Sequence, residues 1–74
     1  MGSVPVLKPR EAIRLLEGHG FSVIRQRGSH CQLKHPDGRQ TTVPDHRGRD
    51  IAPPLLRQIA KDVEMTMDEF LTKK

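Results

Sequence analysis

Tryptophan and tyrosine are absent from this chain, and Phe21 and Phe70 are its only aromatic residues. Aromatic side chains therefore offer little competition to the polar groups for a chemical role. Cys31 is the single cysteine, which excludes an internal disulfide and fits a reducing compartment. No apolar run reaches the length of a signal-peptide core or a membrane span, so a soluble, cytoplasmic protein without a membrane partner is expected. Paired carboxylates, internal repeats, low-complexity tracts and long linkers are missing too. With 74 residues, positions 1–74 are expected to form one small domain with a thin core.

Positive charge is what the chain does have, and it is unevenly spread. The net charge is +4. Residues 21–49 hold Arg25, Arg27, Lys34, Arg39, Arg47 and Arg49 against Asp37 and Asp45, a net +4. Residues 1–20 carry +1 and residues 50–74 carry −1. The central third also contains His30, His35 and His46. A localised basic patch is the footprint of a polyanion binder, most often a nucleic-acid binder. The cations do not share an amphipathic helix with bulky apolar residues, which argues against a membrane surface.

The segment from Lys8 to Glu17 reads as a first helix, with Pro9 in its first turn and Ala12, Ile13, Leu15 and Leu16 at helical spacing. Gly18 and Gly20 end it, and Phe21 folds back onto its last turn. Phe21 to Arg27 is β-rich but alternates imperfectly, which calls for a bulge or a mixed edge strand. His30 to His35 is the second strand, and Pro36-Asp37-Gly38 forms a three-residue hairpin loop. Gln40 to Val43 is the third strand, stopped by Pro44. Pro53-Pro54 opens a second helix to about Asp62, with Leu55, Leu56, Ile59, Ala60 and Val63 as its buried stripe. Thr66 and Glu69 have capping-box spacing and start a short third helix, with Phe70 and Leu71 inward. The order predicts an α+β two-layer fold, a three-stranded antiparallel sheet with the helices on one face.

The hairpin loop sets a register that the apolar pattern can check. It places Leu33 opposite Thr41 and Cys31 opposite Val43, so Leu33, Cys31 and Val43 share one face. A two-residue turn at Gly28-Ser29 sets Arg27 opposite His30 and Arg25 opposite Gln32, with Ile24 meeting Leu33 on the core side. The other face then carries Arg25, Arg27, His30, Gln32, Lys34, Gln40 and Thr42. That face suits a phosphate chain.

His30 is the candidate catalytic residue. An imidazole on that open face can take or give the proton of a ribose 2′-OH. Arg25, Arg27 and Lys34 can stabilise the phosphate charge that develops. Gly28 and Ser29 are turn residues first, and a glycine also admits a phosphate close to the backbone. Arg39, His46 and Arg47 complete the candidate RNA contacts. A metal site is disfavoured, because strand alternation sends His30 and Cys31, and His30 and His35, to opposite faces. Adjacent Ser29 and His30 diverge in the same way, which disfavours a serine nucleophile.

The ordered set Gly20-Phe21, Arg25-Gln26-x-Gly28-Ser29-His30, His35-Pro36-Asp37-Gly38-Arg39, Thr42-Val43-Pro44-x-His46 and Leu56-Arg57-x-Ile59 resembles the HicA (YcfA-like) toxin family, from about Lys8 to Leu71. The resemblance implies a double-stranded-RNA-binding-domain-like fold and an mRNA interferase activity in a toxin–antitoxin pair. It places the catalytic histidine at His30. It also implies cleavage without a metal or other cofactor, and a HicB-type antitoxin covering the His30 face of a monomeric toxin. A non-catalytic RNA-binding module on the same face, or a protein-interaction domain with an acidic partner, are the alternatives from composition alone.

Overall fold

A computed structural model describes residues 5–46 and 48–72. The element order is α1 (Pro9–Gly18), β1 (Ser22–Arg27), β2 (His30–Lys34), β3 (Gln40–Pro44), α2 (Pro53–Asp62) and α3 (Met67–Leu71). The three strands form one antiparallel sheet in the order β1-β2-β3. Helices pack on one side of it, with α1 and α2 against β3 and α3 against both of those helices. This is the expected α+β arrangement.

Each helix end has a local cause. Pro9 opens α1 without wasting an N–H, and the Lys8 N–H donates to the Glu11 carboxylate at 2.9 Å, although no side chain caps the first amides of the helix. At the far end, Gly20 N–H donates to Glu17 O and Phe21 N–H to Leu16 O, both at 3.0 Å. Gly20 has φ +95°, the left-handed conformation this paired termination requires. The same termination closes α2 through Glu64 at φ 58°, where a side chain costs about 1–2 kcal/mol relative to glycine's freedom. Thr66 Oγ1 accepts from Glu69 N–H at 3.1 Å and Thr66 N–H donates to the Glu69 carboxylate at 2.8 Å, so the capping box forms as its spacing predicts.

The core gathers Ala12, Leu15 and Leu16 of α1, Phe21, Cys31 and Leu33 of β2, Val43, Ile51, Leu56, Ile59 and Ala60 of α2, Val63 and Phe70. Burying a side chain such as Phe70 or Leu33 contributes roughly 1.5–3 kcal/mol. Leu55 and Leu71 are only half-buried against this cluster. Ile51 was not legible as core: its N–H donates to Leu7 O at 2.8 Å, and this bridge carries its side chain inward.

The β2–β3 register is the one the turn predicts, with Leu33 opposite Thr41 and Cys31 opposite Val43. Between β1 and β2, Arg27 faces His30 and Arg25 faces Gln32, again as expected. Ile24 departs from expectation. Val23, not Ile24, pairs with Leu33, and Ile24 is the extra residue of a β-bulge between Val23 and Arg25. The bulge absorbs the irregular alternation of this strand and releases Ile24 to solvent, 53 % exposed.

The two covered strands alternate between buried and open positions, whereas every residue of β1 is exposed. Even Val23 and Gln26, which pair with the buried Leu33 and Cys31, are exposed. The helical layer stops short of β1. That overhang leaves both sides of one strand free, and it positions everything described next.

Candidate functional site

Directly paired residues share a face of the sheet, so the register places Arg25, Arg27, His30, Gln32 and Thr42 on the side away from the helices. They line a shallow depression of about 290 Å³. His30 is exposed at the start of β2, immediately after the Gly28-Ser29 turn. Its ring makes no hydrogen bond or ion pair to another described residue. The guanidiniums of Arg25 and Arg27 are also without an acidic partner among the described residues. The depression thus holds one free imidazole, two free cations and two neutral hydrogen-bonding side chains. Lys34 lies on the same face at the other end of β2, opposite Gln40 and Ser22.

The turn that delivers His30 is held from below. The Ser29 carbonyl accepts a hydrogen bond from Asp45 N–H, which ties the β1–β2 turn to the segment leaving β3. Gly28 has φ +53°, and a Cβ there would meet nothing within 4 Å. Its glycine therefore answers to backbone conformation, and its outer side is open to a ligand.

The remaining candidates are dispersed. Gly28 and His46 line a second cleft on the helix side of β1, together with Lys8, Arg10, Gln26 and Arg49. Arg39 faces neither cleft. Its Nη1 donates to Val63 O at 2.7 Å, its Nε to Asp37 at 2.8 Å, and its guanidinium sits 5.3 Å from the centroid of Phe21. Those bonds tie the hairpin tip to the end of α2, a structural role that leaves Arg39 away from His30. Arg47 lies outside the described residues.

One other titratable group can be assigned. Burial, then Asp45 and Glu17, pushes the Cys31 thiol up from its ordinary value, so it stays protonated and is a poor nucleophile or ligand. Among the described residues no three His, Cys, Asp or Glu side chains gather as metal ligands would. No helix among the described residues is long and apolar enough to cross a membrane.

A sequence model for a family described as "HicA toxin of bacterial toxin-antitoxin" matches residues 9–65, which contain the whole sheet, the His30 turn and α2. The chain belongs to the HicA toxin family. Among curated proteins none matches it. Membership makes this HicA chain the toxin of a toxin–antitoxin system, a class whose members act opposite an antitoxin. Gln32 and Thr42 complete the HicA depression and were legible only as open-face positions. Lys8, Arg10 and Arg49 left no signal as a group, because two segments far apart in the chain supply them and only the fold brings them to one cleft.

Proposed function

We propose that this toxin is an endoribonuclease in which His30 moves the proton of a ribose 2′-OH. One observation carries the reading: an imidazole bonded to no other described residue shares an open depression with two guanidiniums that have no acidic partner among the described residues. His30 takes the 2′-OH proton, O2′ attacks the adjacent phosphorus, and the P–O5′ bond breaks. Water protonates the departing 5′-oxygen. The products are a 2′,3′-cyclic phosphate and a 5′-hydroxyl end. Arg25 and Arg27 stabilise the charge that builds on the phosphoryl oxygens, and Gln32 and Thr42 hold the strand by hydrogen bonds. Lys34 extends the phosphate track along β2. This sequence of steps uses no metal and no other cofactor. A single imidazole supplies one proton transfer at a time, so turnover is modest.

The substrate in this reading is mRNA, and the restraint is a HicB-type antitoxin seated over the His30 face. The test is incubation of the purified toxin, wild type and His30→Ala, with a defined RNA, followed by end-group analysis. Cleavage by the wild type alone, leaving 2′,3′-cyclic or 3′-phosphate ends, is the expected result. Equal cleavage by His30→Ala would sink it. RNA binding by both proteins with cleavage by neither would make the face a binding module.

A further inference from the structure

The overhang of β1 makes a cleft that the proposed mechanism does not use. It lies between the helix side of β1 and the start of α1 and has a volume of about 490 Å³, and its lining residues Gln26 and Gly28 alternate along the chain with Arg25, Arg27 and His30 of the depression on the other face. Lys8 and Arg10 enter from the start of α1, Gln26 and Gly28 from the end of β1 and its turn, and His46 and Arg49 from the segment after β3. Arg10 and Arg49 have no acidic partner among the described residues, and Lys8 has only a loose, solvent-exposed contact of 3.7 Å with Asp50. Asp45 also lines the cleft, and its carboxylate offsets one of the three cations. The balance on the wall is positive.

We propose that this cleft is a second phosphate-binding subsite, so that a single RNA strand bends around the free edge of β1. One stretch lies on the sheet face against Arg25, Arg27 and His30, and the flanking phosphates lie against Lys8, Arg10 and Arg49. The proposal rests on the RNase reading above and extends it to the path of the substrate. Chemistry favours RNA over a protein segment here. Among the described residues Pro9 is the one apolar side chain on the wall, and a tight protein interface needs buried aromatic or aliphatic anchors. Cations, an amide, an imidazole and an open glycine backbone are what phosphates and sugars take. Gly28 belongs to the turn between the two sites, where a bulkier residue would stand in the path of the strand.

The experiment measures binding of the full chain to a non-cleavable 2′-O-methyl RNA of twelve nucleotides and to a trinucleotide, across a salt series. Arg10→Ala/Arg49→Ala is compared with Arg25→Ala/Arg27→Ala, each checked for unchanged circular dichroism. The cleft variant is expected to lose about tenfold affinity for the long RNA, and to lower its salt slope by about 1.4, since each phosphate contact on a single strand contributes roughly 0.7. The trinucleotide, which the sheet face alone accommodates, keeps its affinity. Unchanged binding of the long RNA by the cleft variant, with loss in the sheet variant, overturns the cleft and leaves the RNase face standing. Loss in the cleft variant alone supports the cleft and removes the sheet face from the RNA path. No loss in either variant sinks both. Weakened binding of the antitoxin with RNA binding intact would make the cleft a protein site and overturn the inference.

Discussion

Two histidines five positions apart flank one strand, and the fold treats them oppositely. His35 is fully engaged. Its ring meets Phe21 edge-on at 5.1 Å, a Cβ on Gly20 would come within 2.9 Å of its Nε2, and its Nδ1 lies 3.1 Å from Asp37 N and 3.0 Å from Asp37 Oδ1. A neutral Nδ1 accepts from that N–H, and a protonated one donates to the carboxylate. His30 has none of this. A side chain whose contacts are satisfied within its own chain is explained by folding, whereas one that is exposed, uncompensated and set among cations is available to a partner or substrate.

The largest effect separates the two. His30→Ala is expected to reduce RNA cleavage by about 10²–10⁴-fold, the usual weight of one general acid–base group. Its stability should stay within about 0.5 kcal/mol of wild type, as for other exposed positions. Cleavage assays and thermal melts on one preparation check both halves, and a His30→Ala protein that melts early would erase the contrast.

Gly20→Ala should come next. A side chain at φ +95° is strained, and the new methyl group would push against His35. A loss of about 2 kcal/mol is expected from the backbone and the clash together, read as a lower urea midpoint with an unchanged slope. His35→Ala should cost about 1–2 kcal/mol through its lost packing and hydrogen bond. Cleavage per folded molecule should be retained. If His35→Ala abolished cleavage in a protein still folded, the division between the two histidines would be wrong.

The smallest effect depends on pH. The Arg39 backbone N–H, followed by the Arg39 guanidinium and His35, holds the Asp37 carboxyl below its ordinary value of 3.8. A depressed carboxylate stabilises the fold above its unfolded value, and that contribution disappears as the pH falls through the folded one. Asp37→Asn should therefore melt slightly lower than wild type at neutral pH. The gap should close in strong acid, as melts across a pH series will show.

Much of the fold was written locally. Pro36-Asp37-Gly38 specified the hairpin, and the pairing of Leu33 with Thr41 and of Cys31 with Val43 followed because any slip would turn apolar groups outward. The capping box at Thr66 and the helix stop at Gly20 were equally local. Ile51 was different, since its burial depends on Leu7, far away in the chain. The bulge at Ile24 was foreseen as one option, but its register depends on how far the helices reach over β1. Strand pairing was enough to foresee that Arg25, Arg27 and His30 share one face of the sheet. The place of Arg39 was not legible, because charge composition cannot distinguish a free guanidinium from one that bolts a turn to a helix end.

The kink in β1 has a bearing on how such a chain survives in a crowded cell. A terminal strand with Val23 and Ile24 bare would invite another copy to zip onto it and seed a fibre. The extra residue breaks the ladder at that dipeptide, and Arg25 and Arg27 beyond it would bring like charges face to face in any such stack. The irregularity that spoils the pleat thus keeps the rim of the sheet unclaimed by its own kind, and open to whatever else comes.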